Sequence, residues 1–298
     1  MPRGATFRTW DDYFIPGTSV LRNKFTAPGK PYGEPDPAKL RTMEEAATAV
    51  RIRELHEAPI AGRFDYEHMQ AIHAAIFQDC YDWAGVPRVG PEGRMTKDGP
   101  NVLNPGDPKP VAYGYYPGGD VMNQAAEAEY AKLAAHNLLR GLDQREFVDQ
   151  LAESWGELNV IHSFREGNSR SQFVFFSQLA EQAGYRLDAA QFAPGAPLRD
   201  EFVQARFYSQ ATSRNDRLAS VLGRAIVPFE RGTDGPQQGP AVRTLRDDTR
   251  ARIADAIAEH VELHRASFPS APTPGTEHST EARRSTPPAS DRHRGRGR

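Results

Sequence analysis

IHSFREGNSRSQFVF, the run from Ile161 to Phe175, joins two apolar helical patterns through a polar turn. Before it, apolar residues recur at helical spacing, which predicts a helix over about 144–161; they are Phe147, Leu151, Trp155 and Leu158. After it, a phenylalanine-rich run stops at Gly184, the residue type that commonly ends a helix. We therefore expect His162 at the carboxyl end of one helix, and residues 163–169 as the loop into the next.

The backbone of this loop suits an anion. The N–H groups of Gly167, Asn168 and Ser169 open the second helix, where unsatisfied donors and the positive end of the macrodipole favour negative charge. Gly167 tolerates a positive φ, so its neighbours can curl around the anion. The pattern predicts a phosphate site.

Three side chains complement such a site. Glu166 offers oxygen to a hard cation such as Mg²⁺, which proteins hold with one or two carboxylates plus substrate phosphates. Arg170, one turn into the helix, offers a fork of donors to phosphate. His162, with an ordinary pKa of about 6.5, can accept a proton from a hydroxyl at neutral pH.

The same residues resemble the motif H-x-F-x-[D/E]-G-N-G-R-x-x-R of Fic-domain proteins. The matching positions are His162, Phe164, Glu166, Gly167, Asn168 and Arg170. The resemblance implies that they serve, in that order, as base, core anchor, Mg²⁺ ligand, anion-loop glycine, phosphate-binding or loop-positioning amide, and phosphate-binding arginine. It covers roughly residues 10–225, because 12–24 and 64–85 are also similar to Fic proteins of the type IV secretion effector and toxin group.

Two motif positions depart from the family pattern. Ser169 stands where the family has glycine, and Phe173 stands where it has the second arginine. Ser169 is expected either to crowd the phosphates or to add one donor to the nucleotide-binding loop. Phe173 lacks the cation that in the family helps to set the γ-phosphate, so we expect weaker or reoriented nucleotide binding. Ser163 replaces a common proline.

The resemblance implies an all-α Fic fold, a helical bundle with a small β-hairpin flap. It also implies a toxin- or effector-like nucleotidyltransferase that transfers AMP from Mg-ATP to a Tyr, Thr or Ser hydroxyl of a target protein bound at the flap. ATP and Mg²⁺ are the expected cofactors. The alternatives are a catalytically degenerate Fic scaffold that binds a target through its flap, and a Fic enzyme that transfers phosphate or another nucleotide monophosphate.

Regulation in the family often uses an inhibitory helix with the pattern [S/T]-x-x-x-E-[G/N], whose glutamate pairs with the second motif arginine. The 298 residues contain no match to this pattern. Because Phe173 replaces that arginine, the ion pair cannot form, and a separate antitoxin as partner would act through other contacts. No membrane or nucleic-acid partner is expected.

Composition bounds the class of protein. A hydrophobic content of 38% suits one core plus a polar tail, and Cys80, as the single cysteine, excludes an internal disulfide. No run approaches about 18 apolar residues, and residues 1–10 lack an apolar signal region. We expect a cytoplasmic protein, with translocation into a target cell by a type IV-like route as an extension.

The sequence divides into four predicted units. Residues 1–60 form a helical lead that packs on the core, and 61–228 form the Fic domain, with the flap at about 86–117 and the motif at 162–173. Residues 229–268 are predicted as a linker and an amphipathic helix. The basic segment 269–298 is rich in Pro, Ser, Thr, Arg and His, which predicts disorder.

Local patterns predict the remaining elements. Thr42 and Glu45 form a capping box for one helix, and Asp65 caps the next. Segments 86–89 and 111–116 are expected to pair as the flap hairpin, and 205–222 to form a helix closed by Gly223. Four histidines on predicted helices are assigned no role; they are His56, His68, His73 and His136.

Overall fold

The structure, a computed structural model, describes residues 7–91, 93–192 and 195–229. Its helices in these ranges are α1 (Pro37–Glu57), α2 (Tyr66–Phe77), α3 (Asp120–Ala135), α4 (Gln144–Ile161), α5 (Asn168–Ala183), α6 (Pro197–Thr212) and α7 (Asp216–Ala225). Two antiparallel strand pairs accompany them, β1 (Thr96–Gly99) with β2 (Val111–Gly114), and β3 (Tyr185–Leu187) with β4 (Ile226–Pro228). The predicted helical bundle with a small hairpin is confirmed. The predicted C-terminal helix and basic tail lie outside the described residues.

The core lies between α4, α5 and the helices around them. Phe147, Leu151 and Trp155 of α4 are almost completely buried, and Trp155 stacks on Phe176 of α5 with ring centroids 4.6 Å apart. Helix α2 packs on α5, α3 packs on α4, and α6 and α7 pack on α4 and on each other. Each buried side chain of this kind contributes roughly 1.5–3 kcal/mol. The loop between α4 and α5 is therefore held by the two central helices.

Helix α4 has both predicted ends, and α5 has its predicted C-terminal end. Asp143 caps α4 by accepting a hydrogen bond from the N–H of Glu146 at 2.9 Å, and α4 ends at Ile161 as expected. Helix α5 ends before Gly184, which adopts a φ of +92°. It begins at Asn168, so the connecting loop is slightly shorter than the sequence pattern suggested.

Helix α1 begins earlier than predicted. Asp36, not Thr42, is its N-cap, and the Asp36 carboxylate accepts hydrogen bonds from the N–H groups of Ala38 and Lys39. Pro37 occupies the first helical position, where a missing N–H costs nothing. The Thr42 hydroxyl instead donates to the carbonyl of Ala38 within the helix. The capping-box prediction at Thr42 was wrong because an equally good cap, Asp36, lies six residues upstream.

The flap hairpin forms with a different first strand. Segment 111–116 supplies β2 as expected, but β2 pairs with β1 in the register Thr96 to Gly114 rather than with 86–89. Segment 86–89 has no strand conformation, because the buried Arg88 uses its guanidinium to bind main-chain carbonyl groups around it.

The single helix predicted over 205–222 is two helices. Helix α6 ends at Thr212, Ser213 adopts a left-handed φ of +56°, and α7 begins at Asp216. The reversal packs on Gly156 of α4, where an added Cβ would meet the Asn215 side chain at 2.3 Å. This close approach lets α7 fold back along α4. No helix among the described residues combines the length and apolar character needed to cross a membrane.

Candidate active site

His162 is the C-cap of α4 and points into a buried site. It adopts a left-handed conformation with a φ of 54°, and its N–H donates to the carbonyl of Leu158 at 3.2 Å. The residue is only 5% exposed, and its ring contacts the ring of Tyr115, just after β2, with centroids 4.4 Å apart. The end of α4 and the flap therefore both fix the position of this imidazole.

Two hydrogen bonds show which ring nitrogen of His162 carries the proton. Its Nε2 lies 3.3 Å from the ammonium of Lys97 on β1, which can only donate, so Nε2 carries the lone pair. Its Nδ1 lies 3.3 Å from the carbonyl oxygen of Asn159 and donates to it. Burial, with the charges of Lys97, Arg88 and Arg206 nearby, lowers the pKa of His162 well below its ordinary value. The imidazole is neutral at pH 7, and Nε2 can accept a proton.

Arg88 fixes the backbone at the end of α4. Its guanidinium is 1% exposed and donates to the carbonyl of His162 at 2.8 Å and to that of Gly90 at 2.7 Å. A third donor reaches the carbonyl of Tyr116, which follows β2. Arg88 thus ties the base to both ends of the flap.

The loop before α5 needs glycine at 167. Gly167 has a φ of +82°, and an added Cβ would lie 2.1 Å from the ring of Phe77. Asn168 closes the loop, because its side-chain oxygen accepts from the N–H of Phe164 and its amide donates to the carbonyl of Phe164. The first N–H groups of α5 have no partner within the helix and face the loop. The backbone of this loop is therefore preformed as a cradle, and its predicted binding of an anion stays a prediction.

Glu166 lies beside that cradle with its carboxylate ionised. Burial opposes ionisation, but the charges of Lys97 and Arg170 and a 2.9 Å hydrogen bond from the N–H of Gly167 lower the pKa of Glu166. Arg170 approaches the carboxylate at 3.6 Å. Among the described residues, no group of three or more His, Cys, Asp or Glu side chains forms a metal site. A single ionised carboxylate fits Mg²⁺ that takes its other ligands from phosphate and water.

His73, assigned no role from the sequence, positions the backbone of Glu166. Its Nδ1 accepts from the N–H of Gly85 at 2.8 Å, so its Nε2–H donates to the carbonyl of Glu166 at 2.9 Å. The ring stacks on Phe164 with centroids 3.8 Å apart. Burial lowers the pKa of His73 to about 3, so it remains a neutral hydrogen-bonding group.

Arg170 is engaged by α1. Its guanidinium donates to a carboxylate oxygen of Glu44 and, at 3.1 Å, to the hydroxyl of Thr48, and it lies 4.6 Å above the ring of Phe77. The hydroxyl of Tyr81 donates to the other oxygen of Glu44. The sequence indicated no partner for Arg170 on α1, and its predicted phosphate contact stays a prediction.

The two departures from the motif pattern have different surroundings. The hydroxyl of Ser169 accepts a 3.0 Å hydrogen bond from Arg206, which also donates to the side chain of Asn159. Phe173 is 7% exposed and contacts Trp155 and Phe192 edge to face, with centroids 5.9 and 5.7 Å apart. Phe173 is therefore part of the aromatic core, and Ser169 is hydrogen-bonded to α6.

Comparisons with known proteins agree with this geometry. Residues 63–180 match the sequence model of the Fic/DOC family. The chain is 35% identical over 219 residues to the protein adenylyltransferase VbhT of Bartonella schoenbuchensis, which aligns 74% of this chain but 40% of VbhT. It is 34% identical over 186 residues to the probable protein adenylyltransferase y4lH of Sinorhizobium fredii, and this covers 62% of the chain and 82% of y4lH. The chain thus spans less than half of VbhT but most of y4lH.

Solved structures show the same fold. The N-terminal Fic domain of a VirB-translocated Bep effector from Bartonella quintana, with bound ADP, matches with a TM-score of 0.60 at 22% identity, over 74% of this chain and 96% of that one. BepC from Bartonella tribocorum, with bound AMPPNP, matches with a TM-score of 0.58 at 20% identity, over 74% and 98%. With the y4lH relationship and the motif geometry, these likenesses lead to one conclusion. The chain belongs to the Fic/DOC family.

Proposed function

We propose that this protein is a protein adenylyltransferase that moves AMP from ATP to a hydroxyl group of a target protein. One observation carries the proposal: the buried, neutral His162 keeps a lone pair on Nε2 and directly precedes the loop that leads into α5. Support comes from relatives named protein adenylyltransferase and from the ADP and AMPPNP held by proteins of the same fold.

In the proposed reaction, His162 acts as general base. Nε2 takes the proton of the target hydroxyl, the hydroxyl oxygen bonds to the α-phosphorus of ATP, and the bond from that phosphorus to the pyrophosphate oxygen breaks. The products are the AMP ester of the target and pyrophosphate. Because Lys97 donates to Nε2 in the structure, the target hydroxyl must displace this ammonium before it can be deprotonated.

The loop stabilises the negative charge of the reaction. The N–H groups of Asn168 and Ser169, with the helix dipole of α5, favour anionic oxygen at the cradle, and they need no rearrangement because Asn168 already holds the loop closed. Glu166 is the residue that would hold Mg²⁺, which would neutralise phosphate charge when bound.

The flap is the proposed target-binding element. Strand β1 carries Lys97 to the base, so a peptide lying along this hairpin would present its hydroxyl next to His162. Main-chain pairing with a strand edge gives affinity without demanding a particular sequence. The alternatives of a silent scaffold and of phosphate transfer gain no separate support, since the relatives are named protein adenylyltransferases.

Delivery through a type IV system is a further part of the proposal. It is supported by the VirB-translocated Bartonella effectors that share the fold. A reporter enzyme fused to the chain should accumulate in recipient cells only when the donor cell has a working type IV system. Equal transfer from donors without that system would contradict it.

A variant of the base tests the reaction. His162→Asn keeps a residue type that tolerates the left-handed conformation but has no basic nitrogen. We expect label from α-phosphate-labelled ATP to reach protein in a cell extract with the wild type, and at least about a hundredfold less with His162→Asn. The His162→Asn protein should still bind ATP, which calorimetry can check. Equal labelling by both proteins would refute His162 as the base.

A further inference from the structure

Helix α6 meets the two altered motif positions with a matched pair of residues. Ser169 and Phe173 are one turn apart on α5, and Arg206 and Phe202 are one turn apart on α6. Arg206 binds Ser169, while Phe202 joins Phe173 in a cluster with Trp155 and Phe192. The arginine that α5 lacks at Phe173 is therefore offered by α6 one turn away, at Ser169.

Arg206 is a half-buried cation without a counter-ion in the described part of the chain. One terminal nitrogen serves both Ser169 and Asn159, but its Nε is buried and has no hydrogen-bond partner. No carboxylate of the described residues forms an ion pair with it. Burial lowers the pKa of Arg206 to about 10, the direction expected where no anion stabilises the charge. A guanidinium nitrogen that is shut off from water normally has a partner, so the unpaired Nε suits an anionic ligand.

The position of Arg206 indicates which anionic ligand it would bind. Ser169 is the second residue of α5, and its backbone belongs to the phosphate cradle. Arg206 also binds the side chain of Asn159, whose carbonyl accepts a hydrogen bond from His162, so its charge borders the reaction centre. The neutral partners Ser169 and Asn159 aim the guanidinium without neutralising it.

We infer that Arg206 binds the polyphosphate of the nucleotide and supplies the cation that Phe173 lacks. The inference rests on the proposed function and names the determinant of its nucleotide preference. Ser169 is a positioning residue, because its hydroxyl holds the guanidinium beside the first turn of α5. On this account the serine and the phenylalanine are one adaptation, in which the phosphate-binding arginine moves from α5 to α6.

A purely structural Arg206 would behave differently. If it served only to join α6 to Asn159 on α4, its loss would lower the melting temperature and weaken all adenine nucleotides by the same factor. If it binds the β- or γ-phosphate, its loss weakens ATP and ADP but leaves AMP unaffected. The difference between nucleotides therefore separates the two roles.

The experiment is a calorimetric titration of the full chain with ATP, ADP and AMP in the presence of Mg²⁺. For Arg206→Gln we expect the ATP affinity to fall by between about tenfold and a hundredfold, as for loss of a charge-assisted contact, with AMP affinity unchanged. Arg206→Lys should lie between Arg206→Gln and the wild type, because it keeps the charge but loses the planar fork. Arg217→Gln is the matched control, since Arg217 is an exposed arginine stacked on Tyr208.

Each other result has a defined meaning. Unchanged ATP affinity in Arg206→Gln, or an equal loss for all three nucleotides, would overturn the role of Arg206. Neither result would contradict the proposed transfer of AMP by the wild type. Failure of the wild type to bind any of the nucleotides would overturn the proposed function as well. If Arg206→Gln does not fold, Ser169→Ala decides the matter, because freeing the guanidinium should weaken ATP several-fold more than AMP. An equal effect on both would reject the inference.

Discussion

The buried pair of Arg170 and Glu44 gives the most specific stability prediction. Glu44 is 9% exposed and accepts hydrogen bonds from Arg170 and Tyr81. Glu44→Met replaces the carboxylate with an apolar side chain of similar volume and leaves the Arg170 guanidinium buried with Thr48 and, at 3.6 Å, Glu166. Removing one partner of a buried ion pair costs about 3–5 kcal/mol. We expect the lower end, about 3 kcal/mol, because Glu166 remains.

The double replacement sharpens this prediction. Arg170→Met alone should also cost about 3 kcal/mol, since it leaves the Glu44 carboxylate unpaired, whereas the combined variant removes both charges. The double variant should therefore be at least about 2 kcal/mol more stable than the sum of the single effects predicts. Urea unfolding of the four proteins, with a common slope, measures this coupling. Additive effects, or a loss below about 1 kcal/mol in Glu44→Met, would refute the assignment of a coupled buried pair.

Three further predictions concern the site. Lys97→Met removes a positive charge beside His162, so the pKa of His162 should rise toward its ordinary value and the acid limb of the kcat/KM profile should move to higher pH; an unmoved limb would contradict this. Glu166→Ala should make ATP affinity independent of Mg²⁺ in calorimetry with and without chelator, and a retained Mg²⁺ dependence would place the ion elsewhere. Phe173→Arg buries a guanidinium in the aromatic cluster and should cost at least about 3 kcal/mol in thermal unfolding, whereas an unchanged melting temperature would show that the position opens to solvent.

The motif and its two helices could be read from the sequence because their determinants are local. The apolar spacing of α4 and Gly184 after α5 predicted the helices, and His162 and Gly167 have the predicted places at the end of α4 and in the loop. Gly167 proved necessary for a second reason as well, since the ring of Phe77 leaves no room for a Cβ. That contact crosses from another helix and has no signature in the loop itself.

The supporting residues could not be predicted, because each comes from a distant part of the chain. Glu44 and Arg170 are 126 residues apart, and Arg206 lies 37 residues beyond Ser169. Periodicity places such residues on helices but does not say which helices meet. A weak signal existed for Glu44, as an acidic residue among apolar positions of α1, yet a charged helix residue usually faces solvent.

For segment 86–89, a local sequence pattern predicted a strand that the structure does not contain. Two valines flank Pro87 and Arg88, and β-branched residues are typical of strands. The guanidinium of Arg88 decides otherwise, because it binds the carbonyl of His162 and needs an irregular backbone around it. A buried arginine that binds main-chain oxygen atoms has no pattern in sequence.

In the proposed reaction, AMP is transferred from ATP to a protein hydroxyl with His162 as the general base. The full chain and a cell extract are incubated with Mg²⁺ and either α-labelled or γ-labelled ATP. The mass of the labelled protein is then measured by mass spectrometry. We expect label in protein from α-labelled ATP alone, an added mass equal to one AMP moiety, and loss of both in His162→Asn. Label from γ-labelled ATP, or transfer that survives in His162→Asn, would contradict it.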